Sequence, residues 1–426
     1  MSDKWQDYLK DCRRICKYGT KCYQKNTEHQ QKFKHPPQQQ LENKTGNKNS
    51  FKARFSPYSR NKEAKNIDNT VVSEKSVECE ANSSRVLSKI TDCDSAPDNS
   101  NTFTKITINQ NTHYYGSDPD NKIFKECFLV EMPSDFFQFF NCLNSGENSI
   151  EKLLSTVNLQ LIGPFDLLLG KLPIIDNKDL YLIHWRFFYD PPEFQAILKK
   201  KGTEYHIGYF RDSPSEEPVF VAANNSKKDC SIKPIARNIF GAVYWYLQEE
   251  KKTSPFISIA CQKLMEKIDA YAKELHYTLE EFNIKSRRSQ TVCKSFHGAG
   301  IAVPYNKKTQ LGYRSLAESD AKINKLFHQL GEAKTQVEKD KILSEIQPVI
   351  TYANIAVDEC DFGTGLEAGI AMFCSGLKEL EPSALSSLSA VYSLLKRDAF
   401  AKIIEGFCTL RGKKPAKKKL PRFLWN

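Results

Sequence analysis

The chain has 426 residues, 13 cysteines and a formal net charge of +11, with a mean hydropathy of −0.53. That length accommodates two or three domains with at least one sizeable core, and the polar average implies that part of the chain is unfolded. No run approaches the roughly eighteen apolar residues of a membrane span, and the charged start MSDKWQDYLKDCRR lacks the apolar stretch of a secretory signal. The odd cysteine count therefore reads as reduced thiols of a nuclear or cytosolic protein, not as a disulfide framework.

Near the N-terminus, CKYGTKCYQKNTEHQQKFKHP sets Cys16, Cys22, His29 and His35 at a C-x5-C-x6-H-x5-H spacing. Two thiolates and two imidazoles fill a tetrahedral zinc shell, so the expected site is closed and structural, not catalytic. A segment this short buries no core, and the metal would supply its folding free energy. The pattern, with an aromatic-glycine pair between the cysteines, resembles the poly(ADP-ribose)-binding (PBZ) zinc finger. In that family two aromatics hold an adenine-containing ligand, which the resemblance puts at Tyr18 and Tyr23. Packing around the metal is the other reading of these rings. The family's usual arginine after the second aromatic is Gln24 here, which removes a phosphate-competent fork and implies weaker or altered ADP-ribose binding.

From Pro36 to about Lys122 the sequence is rich in Asn, Ser, Gln, Lys and Asp. It cannot bury enough surface to offset chain entropy and is expected to be a flexible tether over 37–122. Globular sequence begins near Phe124. SDFFQFFNCL predicts a helix capped by Ser134. LQLIGPFDLLLG is apolar and broken by Gly163 and Pro164. DLYLIHWRFFYDPPEF and EYHIGYFRDSPSEEPVFVAAN read as strands, with Arg211–Pro214 opening a hairpin loop. Ile257, Cys261, Leu264, Ile268, Tyr271 and Leu275 recur at helical spacing. Residues 123–290 are thus expected to form a mixed α/β domain.

Ser295–Val303 (SFHGAGIAV) reads as one more strand, after which the pattern turns helical. Ile323 to Leu330, Leu343 to Ile350, Leu366 to Leu377 and a long amphipathic segment from Leu385 to Leu410 predict a mainly helical domain over 291–411. The fold class is therefore α+β: a zinc finger over 1–36, the linker, the mixed domain, the helical domain and a basic tail over 412–426. Arg411 to Arg422 holds seven basic residues and no acid. It reads as a nuclear localisation signal, a nucleic-acid contact or a merely solvated tail.

No Walker loop, HExxH or nucleophile elbow occurs. HGAG lacks the serine elbow that an oxyanion loop would serve, so His297 reads as packed or hydrogen-bonded. The segment that stands out is VDECDFGTGLEAG, where Asp358, Glu359 and Asp361 precede two glycines expected to end or bend a helix. Clustered carboxylates serve proton transfer or cation docking, or else mark a solvated helix end.

The phrases HWRFFYDPPEFQ, YHIGYFRDSP, FHGAGIAVP, GYRSLAESDA, DECDFGTGLEAG and YSLLKRDAFAKIIE resemble the histone PARylation factor family along nearly the whole globular length. The resemblance implies an accessory protein, not an autonomous enzyme. Such a factor binds a poly(ADP-ribose) polymerase at DNA breaks, completes a joint active site and directs modification of histones and other proteins towards serine. It implies that Glu359 is the base for the acceptor hydroxyl and that Tyr313, Arg314 and Asp358 contact the polymerase. NAD+ would be bound by that partner, while this chain would hold zinc and poly(ADP-ribose) through its finger, in the nucleus at damaged chromatin. The finger and the tail ending PRFLWN depart from the family's vertebrate-like pattern, and Phe423, Leu424 and Trp425 form an apolar anchor without an assigned role. A second reading is a poly(ADP-ribose) reader and scaffold with no catalytic contribution, and a third is a free-standing hydrolase using the acidic cluster.

Overall fold

A computed structural model describes residues 11, 13–15, 27–35, 112–116, 119–146 and 149–411. By contact the chain divides into two compact units, Met1–Ser95 and Ala96–Asn426. In the first, strand β1 (Arg14–Ile15) pairs in parallel with β2 (Phe33–Lys34), which directly follows the short helix α1 (Thr27–Lys32). Ile15 pairs with Lys34, so the residues preceding Cys16 and His35 are neighbours.

The second unit starts earlier than composition implies. Tyr114 forms an antiparallel bridge with Pro173, and Tyr115 donates its amide to Leu172 O at 3.1 Å. Backbone pairing, including Ile174 N to His113 O at 2.8 Å, holds the last part of the expected tether; residues 36–111 lie outside the described set. Helix α2 (Asn121–Phe128) is capped by Asp120. Helix α3 (Ser134–Asn144) begins at Ser134 itself, with Pro133 in the cap position and no side-chain cap. Its first-turn acid, Asp135, is buried and accepts from Ile239 N (2.7 Å) and Tyr209 Oη (3.0 Å).

After α4 (Ile150–Ser155), β3 (Leu159–Leu161) and α5 (Phe165–Leu168), four more strands complete an antiparallel meander: β4 (Phe194–Lys200), β5 (Tyr205–Phe210), β6 (Phe220–Asn225) and β7 (Lys233–Ala236). The strand period of two sends Ile207, Tyr209, Val221 and Ala223 to the main core, under helix α6 (Ile239–Glu250). Phe194, Ala196, Phe210, Phe220 and Ala222 face the other way into a second cluster.

That second face is covered by the aromatic run, which was expected as a strand. DLYLIHWRFF is a 3-10 turn over Lys178–Ile183 followed by a bent segment, not a strand. Trp185 takes a positive φ of 56° and packs with Phe187 as the lid of the second cluster. Arg186 is buried there and donates to Leu182 O, Pro191 O and Phe194 O. Aromatic content signalled burial against a sheet, which a covering segment supplies as well as a strand does.

Helix α7 (Pro255–Glu274) follows its predicted stripe, and α8 (Ile284–Arg287) leads into segment 288–319. SFHGAGIAV is a chain of turns closed by a single bridge, Cys293 to Ile301, because Gly298 and Gly300 take φ values of 80° and 83°. His297 is packed, accepts from Ala299 N at 3.1 Å, and burial pushes its pKa down to about 3. Helices α9 (Asp320–Glu332), α10 (Gln336–Asp358), α11 (Phe362–Ser375), α12 (Glu381–Leu394) and α13 (Asp398–Arg411) form the helical layer. The predicted Leu385–Leu410 helix is thus two, broken where Lys396 turns left-handed at φ 58°. The layers are tied by Tyr392, which donates to the buried Glu193 at 2.6 Å across 199 residues, and by Arg397, which donates to Ala302 O at 2.7 Å. No described helix is long and apolar enough to cross a membrane.

Candidate functional site

The site forms where segment 304–319 crosses the junction of α10 and α11. Gly312 turns the chain with a φ of +111°, and a Cβ there would lie 2.1 Å from Pro304 O. Its amide donates to Asp361 Oδ1 (2.8 Å), and its carbonyl accepts from Gly363 N (2.8 Å). The next residues are pinned along the start of α11. Arg314 N donates to Thr364 Oγ1 (2.9 Å), and that hydroxyl donates back to Arg314 O (2.6 Å). Tyr313 Oη donates to Glu367 Oε2 (3.1 Å). A Gly312→Ala variant is expected to lose about 3 kcal/mol or more of stability, since strain and a backbone clash add. Urea unfolding would measure it; a loss under about 1 kcal/mol would mean that the turn adapts.

Helix α10 ends in a Schellman turn. Glu359 is its C-cap, Cys360 takes the left-handed position at φ 67°, and the amides of Cys360 and Asp361 return to Val357 O (2.9 Å) and Ala356 O (2.8 Å). The helix therefore stops at Asp358, ahead of Cys360, and the two glycines expected to end or bend it lie inside the first turn of α11. Gly363 is needed there because a Cβ would press on Gly312 O at 2.9 Å.

Asp358 and Glu359 are exposed at the negative end of a 23-residue helix, an unfavourable place for carboxylates. Arg314 offsets this. Its Nη1 donates to Glu359 Oε2 at 2.5 Å, its guanidinium lies 5.0 Å over the Tyr352 ring, and its Nε faces Asp361 Oδ2 at 3.5 Å. That last separation is an ion contact but too long for a good hydrogen bond. The Arg314 side chain is 23% exposed and that of Glu359 59%. Pairs this open contribute about 0.2–1 kcal/mol, so Glu359 can exchange its partner at little cost.

Beneath this surface Glu367 is buried, and burial raises its pKa above the usual carboxylate value. Burial likewise pushes up the phenol of Tyr313 and the thiol of Cys293. A carboxyl whose folded pKa is raised stabilises the fold below its unfolded value, near 4.5, and that contribution is lost as pH rises through the folded value. Glu367→Gln should therefore gain on the wild type as pH climbs from about 4.5 to 7. Urea unfolding at both ends of that window checks this; a constant gap between the two proteins would refute it.

Of the sequence-predicted residues, Tyr313, Arg314, Asp358 and Glu359 fall together at this junction. Tyr352, Thr364 and Glu367 complete it, and no sequence motif singles them out. Tyr352 lies seven residues before Glu359, on the same helical face, and Thr364 and Glu367 are three apart at the start of α11, so helical spacing was the available signal. At the finger, His29 Nε2 and His35 Nε2 are 3.2 Å apart. Two nitrogens on one tetrahedral zinc are separated by roughly 3.3 Å, so these imidazoles fit a shared metal. Cys16, Cys22, Tyr18 and Tyr23 lie outside the described residues.

The Histone PARylation factor 1 family model matches residues 119–411, and the PBZ domain model matches residues 13–38. Histone PARylation factor 1 of Bos taurus is 39% identical over 288 residues, covering 65% of this chain and 83% of its own length. The Mus musculus protein of that name is 39% identical over 294 residues, 67% of this chain and 84% of its own. The Danio rerio protein is 39% identical over 291 residues, with 67% and 83% covered.

Proposed function

Since this chain belongs to the histone PARylation factor family and carries a PBZ domain, we propose that it docks on a poly(ADP-ribose) polymerase at DNA breaks and lends Glu359 to a joint active site. The observation that carries this reading is the exposed Glu359 carboxylate, fixed at a rigid helix end and held by a cation that can let it go. In the reaction Glu359 takes the proton from an acceptor serine Oγ as that oxygen bonds to the anomeric carbon of NAD+ and nicotinamide leaves. The dinucleotide would be held by the polymerase, and histones and other proteins would be the acceptors.

In this reading Tyr313, Arg314 and Asp358 form the docking edge. Arg314 presents a planar fork suited to a partner carboxylate, and Tyr313 shapes the loop through its bond to Glu367. Cys16, Cys22, His29 and His35 would hold a structural zinc, and Tyr18 and Tyr23 would stack on ADP-ribose. The finger over 1–36 and the tether after it would then enrich the factor on ADP-ribosylated chromatin in the nucleus. The basic tail over 412–426 would add contact with anionic polymer. The mixed segment 123–290 would serve as the frame and the helical segment 291–411 as the carrier of the base.

The test is an ADP-ribosylation assay with a break-activated polymerase, nicked DNA, NAD+ and a serine-containing histone peptide, with residue-level mapping of the product. Adding this chain should move modification onto serine. An unchanged product pattern, with NAD+ turnover intact, would overturn the accessory reading and leave a poly(ADP-ribose) reader.

A further inference from the structure

The accessory reading uses Arg314 but leaves the charge around it without a role. From Phe282 to Ala317 the chain holds seven Lys and Arg residues and no Asp or Glu. Two of the seven are neutralised: Arg287 is buried against Asp212, and Arg314 is paired with Glu359. The other five, Lys285, Arg288, Lys294, Lys307 and Lys308, are exposed, and none is in an ion pair with a described residue.

The loop that enters β7 adds to them. Lys227, Lys228 and Lys233 are exposed there, and its one acid, Asp229, accepts from Ser231 N at 2.9 Å. Backbone bonds fix this loop against the acid-free segment, since Ile232 N donates to His297 O at 2.8 Å. Arg287 Nε donates to Ala299 O at 2.6 Å, which brings α8 to the same place. Further on, the turn closed by the bridge from Asn306 to Leu311 carries Lys307 into the groove that Cys360 also lines. The exposed cations thus belong to one cluster of loops that ends beside Glu359. Like charges gathered in this way repel one another and destabilise the compact state, and a polyanion laid across them removes that cost.

We infer that these loops bind duplex DNA through its phosphodiester backbone, without reading its sequence. Among the cations Gln290, Asn306, Thr309 and Gln310 are exposed, and amide and hydroxyl side chains of this kind donate to phosphate oxygens. Single-stranded nucleic acids are held by stacking successive bases on aromatic rings. Of the aromatic side chains from Phe282 to Ala317, Tyr305 alone is exposed, and one ring is no stacking platform. The cluster therefore suits a ligand whose bases are already paired and whose phosphates face outward. DNA seated here lies next to the groove behind Glu359, so an acceptor carried on that DNA is brought to the carboxylate. This use rests on the accessory reading; the binding itself does not.

The test is a fluorescence-anisotropy titration of a labelled blunt duplex with the full chain, repeated from roughly 50 to 200 mM salt. The first variant combines Lys233→Gln, Lys285→Gln, Arg288→Gln and Lys294→Gln. A second combines Lys227→Gln and Lys228→Gln on the separate loop. A control combines Lys263→Gln, Lys325→Gln, Lys334→Gln and Lys341→Gln, exposed cations of α7, α9, α10 and the turn between the last two, with the same net charge as the first. All three should keep the wild-type unfolding midpoint, because the altered side chains are exposed. Each cation that meets a phosphate contributes about 0.9 to the slope of log K against log salt. The first variant should therefore lower the slope by about 3.6 and the second by about 1.8, with affinity falling at least about ten-fold in the first. The basic tail over 412–426 is present in every protein, so its contribution cancels. An unchanged slope in the first two variants would overturn the inference, as would an equal loss in the control, which would make net charge the cause. A larger loss for single-stranded DNA or poly(ADP-ribose) than for the duplex would overturn the assignment to duplex DNA. The assay contains no polymerase, so its failure and that of the accessory reading are separate events.

Discussion

A Glu359→Gln variant is expected to lower serine ADP-ribosylation by about 10²–10⁴-fold, the usual contribution of a positioned general base, while leaving polymerase binding intact. The amide is nearly isosteric and can still accept from Arg314 Nη1, so the helix end and its Schellman turn persist. The side chain is 59% exposed, so the thermal midpoint should stay within a degree or two of wild type. What the amide lacks is the capacity to take the serine proton at neutral pH. The measurement is the initial rate of serine modification at saturating factor, beside a binding titration with the same polymerase. A variant with more than about a tenth of wild-type activity would remove Glu359 from the role of base. A variant that fails to bind would instead place Glu359 in the docking edge.

The second large effect concerns the finger. Cys16→Ser or His35→Ala should abolish zinc binding, which supplies about 10–16 kcal/mol in peptides of this kind. Both changes should also remove poly(ADP-ribose) affinity, whereas the unit carrying Glu359 should keep its unfolding midpoint. Zinc content by elemental mass spectrometry and a polymer-binding titration on the full chain check both points. Retained stoichiometric zinc in either variant would break the four-ligand assignment. Zinc loss with unchanged polymer affinity would move polymer recognition from Tyr18 and Tyr23 to the basic tail.

The sequence was most legible where one periodicity acted alone. The stripes of α7, α9 and α10 were plain because each of these helices buries a single face. The strands β5 and β6 were legible through their turn residues. Reading failed where burial came without regular structure. Trp185 and Phe187 look like strand residues because they cover a sheet, and only the register of β4 to β6 reveals that a lid is needed. It failed again at chain reversals without glycine, since Cys360 and Lys396 occupy left-handed positions that favour glycine or asparagine. At the candidate site the acidic phrase was visible, but its geometry was not. That Arg314 meets Glu359 depends on Gly312, Thr364 and Asp361 fixing a loop against a helix start, a set of long-range hydrogen bonds with no local pattern.

The bond from Tyr392 to Glu193 bears on how the chain is made. A ribosome adding roughly 5–20 residues per second needs about 10–40 s to span the 199 residues between them. Throughout that interval the nascent sheet carries a carboxylate destined for a dry interior but lacking its phenol. Glu193, at the entry to β4, must stay wet or be shielded until the helices arrive. A chain stopped before Tyr392 would leave that carboxyl in the interior without its phenol partner.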